Sequence, residues 1–161
     1  MNEQFKLYPE LFEYYPSTGI IEIYNCVNRT ESDFISLLNI CRFFAKQGKH
    51  CIILPKSLHY KSKEYYDVFG NLLGTKYERK CPDLLIDGKF YEYEGCVSNN
   101  TITTFRNMIL RGLKQSDRVV IDDCGVNYRW AQRYLLTKVK AGNVISEVWI
   151  LENIGGLTRM F

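Results

Sequence analysis

Two hydrophobic periods alternate along this chain, and each stretch where one of them holds predicts an element. Phe90, Glu92 and Glu94 alternate with Tyr91 and Tyr93, the two-residue period of a strand. Just upstream, Pro82 opens the apolar run Leu84–Ile86, and Asp87-Gly88 lies between the two segments. Both residues of that pair tolerate positive φ, so a hairpin is predicted. Helical spacing takes over on either side. Phe34, Leu37, Leu38, Cys41, Phe44 and Ala45 form one stripe, in a helix opened by Thr30-x-x-Asp33, which resembles a capping box, and stopped by Gly48. Ile102, Phe105, Ile109 and Leu113 form a second stripe, on a helix capped by Asn100 or Thr101, and Ala131, Tyr134, Leu135 and Val139 a third over 127–140. Strands are predicted at 19–24, 51–54, 118–121, 147–151 and 157–161 from their β-branched and apolar content.

Helices alternating with strands predict an α/β domain, bordering on α+β, with a mixed sheet of four to six strands flanked by helices. Residues 19–161 form that domain. Residues 1–18 read as an N-terminal arm, since Pro9 and Pro16 forbid one long helix there; a short helix packed on the domain or a partner-binding arm both fit. Residues 56–80 read as a long polar connection rich in tyrosine and basic side chains.

With 161 residues, 46% of them hydrophobic and 24% charged, the chain can bury one ordinary core and is not of disordered composition. A net charge of +3 permits a nucleic-acid partner without demanding one. The six cysteines lack any Cys-x-x-Cys pair, so they read as reduced thiols in a cytoplasmic protein rather than as zinc ligands. No apolar run approaches the ~18–20 residues that span a bilayer, so no membrane partner is expected.

The chemistry on offer is concentrated in the hairpin. Asp83 sits at the mouth of one strand while Glu92 and Glu94 point from one face of its partner. Such a pair is also what a solvated strand face looks like, and both readings stand at this point. A row Asn107, Arg111, Lys114 and Arg118 follows at helical intervals, with Arg106 beside it, and either binds phosphate or is a solvated helix face. Tyr65 and Tyr66, interleaved with lysines in the 56–80 segment, suit RNA, where cations meet phosphates and rings stack on splayed bases. His59 is the plausible general acid or base outside the carboxylates. Asp122, at the exit of a predicted central strand, is a reserve candidate.

Two resemblances attach to these residues. From about residue 30 to 161, the order helix, strand, Cys-Pro-Asp83 hairpin with Glu92-Tyr93, helix, Val-Val-Ile-Asp strand, helix and closing strands resembles the tRNase domains of contact-dependent growth-inhibition toxins. Those belong to the barnase/EndoU/colicin/RelE-like nuclease class. The resemblance implies an RNase acting on tRNA or other structured RNA, a possible immunity protein as partner, and delivery into a target cell's cytoplasm. The half-motif Pro-Asp83, turn, Glu92-x-Glu94 also resembles the PD-(D/E)XK nuclease superfamily. That resemblance implies Asp83 and Glu92 as ligands of Mg²⁺ or Mn²⁺, whereas the first needs no cofactor. Both families place Lys where this chain has Glu94. Arg106 is then expected to stabilise developing charge, Glu94→Lys is expected to raise cleavage, and a scaffold that binds nucleic acid or protein without catalysis remains the non-enzymatic alternative.

Overall fold

The computed structural model, which describes residues 6–97 and 101–161, runs β1 (Pro9–Tyr14), β2 (Ile20–Tyr24), α1 (Phe34–Ala45), β3 (His50–Ile53), α2 (Lys63–Phe69), a 3₁₀ turn (Gly70–Leu72), β4 (Leu84–Ile86), β5 (Lys89–Glu94), α3 (Thr101–Gly112), β6 (Arg118–Asp122), α4 (Tyr128–Lys140), β7 (Glu147–Leu151) and β8 (Leu157–Arg159). The central hairpin forms as the pattern predicts. Asp87 and Gly88 adopt φ of 45° and 75°, and β4 pairs antiparallel with β5 with Leu84 opposite Tyr91.

One mixed sheet carries all eight strands in sequence order. This exceeds the expected four to six: every predicted strand joins one sheet, closed at one edge by β8, and the N-terminal segment adds β1 at the other. The segment read as an arm or short helix therefore supplies an antiparallel strand beside β2. Pro9 opens it at the sheet edge, where a missing N–H is tolerated. The strands β2 and β3 are parallel, as are β5, β6 and β7. Because β4 is antiparallel to both β3 and β5, all five of those strands point the same way.

Helices cover both faces. The α1 stripe, Phe34 to Ala45, packs on Ile21, Ile23, Ile53, Leu84, Tyr91 and Tyr93. On the opposite face α3 and α4 bury Phe105, Met108, Ile109, Ala131 and Leu135 against Val119, Ile121, Val148 and Ile150, and α2 adds Tyr65 and Phe69 beside Leu85 and Phe90. Tyr91 and Tyr93 therefore look toward α1, and Glu92 and Glu94 lie on the face shared by α2, α3 and α4.

Several local expectations are corrected. The capping box does not form: Asp33 occupies the N-cap of α1 without a side-chain cap bond, its carboxylate accepting from Lys56, while Thr30 turns to Asn28. The connection over 56–80 contains α2, which begins where the Ser62 hydroxyl accepts the Tyr65 N–H at 3.1 Å and buries Tyr65 and Phe69 one turn apart. On α3 the buried stripe is Thr104, Phe105, Met108, Ile109 and Gly112, leaving Ile102 exposed. Asn100, one of its two expected caps, lies outside the described residues. The predicted cap of α4 does form, Asn127 accepting the Trp130 N–H.

Candidate functional site

Backbone bonds on two sides fix the residue at the centre of the cleft. The Asp83 carbonyl accepts the Leu54 N–H at 2.9 Å, at the end of β3, and its side chain accepts the Tyr93 N–H at 3.0 Å. Continuing the β4–β5 ladder by one residue sets Asp83 opposite Glu92. Both acids line a polar cleft of about 510 Å³, which also takes in Lys56, Glu94 and Gln115. It opens where β3 and β5 end, the edge at which ligands gather in sheets with parallel strands. A second trough, sharing Asp33, Tyr93 and Glu94, continues toward Arg111 and Asp122.

The pair is electrostatically uncomfortable. Asp83 is only 7% exposed, and burial pushes its carboxyl above the usual carboxylate range against the pull of the Tyr93 N–H and the Lys56 ammonium. Burial raises Glu92 as well, and the charges of Asp83 and Glu94 push it further the same way. Glu92 Oε2 is buried with no hydrogen-bond partner. Two acids sharing a dehydrated site, one with an orphaned oxygen, are what a hard cation relieves. Among the described residues no three His, Cys, Asp or Glu side chains are grouped to hold a metal ion. The pair nonetheless suits Mg²⁺, which is commonly held by one or two carboxylates, with waters and substrate phosphates completing its shell.

The Glu94 carboxylate, 15% exposed, accepts from Arg111 Nε at 2.8 Å. Lys56 Nζ reaches both Asp33 and Glu31, the latter at 3.2 Å. Burial pulls this ammonium down, yet the bond to Asp33, the charge of Asp83 and the bond to Glu31 leave it raised.

Of the sequence candidates, Asp83, Glu92 and Glu94 come together here, and Arg111 joins them through Glu94. Arg106 does not: its guanidinium lies over the rings of Trp130 and Tyr134, at 5.5 and 5.6 Å, on the α4 side. His59 is exposed and absent from the cleft wall, although Ser57 and Leu58 line it. Tyr65 is no stacking platform, being fully buried with its hydroxyl donated to the Lys80 carbonyl; Tyr66 is exposed beside it. Asn107 lies exposed on α3, and Lys114 lies exposed in the turn after it. Arg118 leaves the row altogether, since it opens β6 at the opposite edge of the sheet and pairs with Asp117 and Glu147. Asp122 is spent on structure, accepting from the Tyr93 hydroxyl and the Cys96 N–H.

Sequence reasoning placed Lys56 only among the basic residues of the 56–80 segment and gave no site role to Asp33 or Gln115, although all three line the cleft. A lysine one residue past a buried strand and its closing proline was the available signal for the first. Among the described residues no helix is long and apolar enough to cross a membrane.

No protein-family profile matches the chain, and no curated protein matches it. Among solved structures it is similar to the CdiA-CT/CdiI toxin and immunity complex from Burkholderia pseudomallei, with 14% identity and a TM-score of 0.47 over 94% of this chain and 96% of that one.

Proposed function

We propose that this protein is a metal-dependent nuclease that hydrolyses phosphodiester bonds, with Asp83 and Glu92 holding Mg²⁺ or Mn²⁺. The observation that carries the reading is the acid pair lining a polar cleft, Asp83 buried and Glu92 half-buried with one orphaned, buried oxygen. A divalent ion bound there supplies charge to offset the phosphate and lowers the pKa of a bound water.

The chain's own residues do the rest. The Tyr93 N–H and the β3 pairing hold Asp83 in one place. Glu94, oriented by Arg111, is within the same cleft and accepts the proton that the attacking water gives up. A carboxylate therefore does at this position what the family lysine does by another route. His59, the other base candidate, lies outside the cleft wall.

RNA, tRNA included, is the first substrate to test, because the order of elements from residue 30 onward resembles that of toxin ribonucleases. An immunity protein as partner, and action in a target cell's cytoplasm, follow from the same resemblance. The experiment is incubation of the purified chain with total RNA and with plasmid DNA in Mg²⁺, Mn²⁺ or EDTA. Cleavage is expected with either ion, none in EDTA, and a loss of at least about a hundredfold in Asp83→Asn. Efficient cleavage in EDTA would overturn the reading.

A further inference from the structure

The acidic cleft needs a cation aimed at the phosphate, and the position that supplies one in related motifs holds Glu94, already taken by Arg111. Arg79, Lys80 and Lys56 also line the cleft. The Arg79 guanidinium lies over the Tyr60 ring at 4.9 Å, so it belongs to the rim. Lys56 stands apart because the backbone ties it to the acids. Leu54 donates to the Asp83 carbonyl at 2.9 Å, the buried Pro55 follows, and Lys56 is the next residue. Its ammonium is then held from the α1 side by Asp33 and by Glu31 at 3.2 Å. An ammonium has three N–H donors. Two anchors leave one donor over, and the side chain lines the same cleft as Asp83 and Glu92.

Resting on the nuclease reading above, we propose that Lys56 is the catalytic cation of this site, donating to the scissile phosphate while Asp33 and Glu31 hold it in place. The lysine that the hairpin lacks at position 94 is thereby supplied from the exit of β3, the antiparallel neighbour of β4. A compact, three-donor ammonium suits a point contact on a phosphate oxygen. In the transition state, where charge on the phosphate oxygens shifts, a preorganised donor contributes most.

The competing description is that Lys56 only staples the head of α1 to the end of β3. The two differ in what they predict for a neutral side chain that can still donate. Lys56→Gln keeps N–H donors for Asp33 and removes the charge; Lys56→Met keeps the stem alone. Full-length variants are compared with wild type on total RNA in Mg²⁺, with kcat, KM and melting temperature measured on the same preparations. The expected result is a fall in kcat of about a hundredfold or more in both, with KM changed less than about threefold. Lys56→Gln should melt close to wild type. Ethylammonium added to a Lys56→Ala variant should restore part of the rate, which a staple would not show. If Lys56→Gln cuts as fast as a wild type that does cut, the assignment of Lys56 fails and the nuclease reading survives. A wild type inert with both Mg²⁺ and Mn²⁺ would overturn the two together.

Discussion

Position 94 shows how one contact reverses an expectation. Judged by motif alone, Glu94→Lys installs the residue that the nuclease families this chain resembles carry, and should speed cleavage. In the structure Arg111 Nε lies 2.8 Å from that carboxylate, so a lysine would meet a guanidinium instead of a partner. Glu94→Lys should therefore destabilise the fold by about 1 kcal/mol or more for the lost and inverted pair, read as a lower melting temperature, and reduce cleavage by about a hundredfold. Glu94→Gln can still accept from Arg111 but cannot take a proton, so it should melt near wild type and share the loss of rate. Thermal melts and cleavage rates on both variants decide it, and a Glu94→Lys enzyme faster than wild type would remove Glu94 from the chemistry. The acids themselves were legible in the sequence. Asp87-Gly88 fixes the hairpin, and a two-residue period then puts Asp83 and Glu92 on one face. Lys56 was not, because its neighbours Asp83 and Glu92 are far along the chain and only the β3–β4 pairing brings them together. Arg106 was misdirected for a helical reason: it stands five residues from Arg111, and five residues turn an α-helix through about 140° beyond a full circle.

Among the elements, β1 departs furthest from the sequence reading. Prolines at 9 and 16 argued against a helix, but nothing local announced a strand, because its partners are the β2 ladder and Arg42 on α1. Glu13 accepts from Arg42 Nε at 3.0 Å and from the Tyr15 hydroxyl at 2.6 Å. The bond from Arg42, opposed by partial burial and aided by Tyr15, holds the Glu13 carboxyl below its ordinary value. A carboxyl depressed in the folded state binds its proton more weakly there than in the unfolded chain. Its contribution is thus present above the unfolded pKa, about 4.3 for Glu, and is lost as pH falls through the lower folded value. Melting temperatures measured from neutral pH down through the carboxylate range should fall more gently for Glu13→Gln than for wild type, the two curves converging in acid. Parallel curves would mean the Arg42 contact adds nothing to stability. Edge position explains why this tether matters: β1 pairs with one neighbour only, and its Leu11 and Tyr14 side chains are largely exposed, so little packing holds it.

At the scale of the whole molecule, the sheet order collects the chemistry along one edge. Because β3, β5 and β6 run the same way, Lys56, Glu92, Glu94 and Asp122 all lie near their carboxyl ends, although the chain between them folds into two helices, a 3₁₀ turn and a hairpin. The alternation of elements made the α/β class legible, but not which residues would meet, since that depends on strand directions set by tertiary pairing. Charge is distributed accordingly. The net charge is only +3, yet the acids sit at the bottom of the cleft while Arg79 and Lys80 stand on one side and Arg111 opens the adjoining trough. A nucleic acid crossing both troughs must lay its phosphates on those cations, each contact releasing a counterion and adding about 0.7–0.9 to the slope of log affinity against log salt. The measurement needs a chain that binds without cutting, for which Asp83→Asn in EDTA serves. In that background Arg79→Ala with Lys80→Ala should flatten the slope for RNA by about two contacts' worth. Arg106→Ala with Arg118→Ala removes the same charge and should leave the slope unchanged, because one residue is committed to the Trp130–Tyr134 stack and the other to Asp117 at the far edge. If both pairs flatten the slope equally, binding follows net charge alone, and no path across the carboxyl-end cleft is needed to account for it.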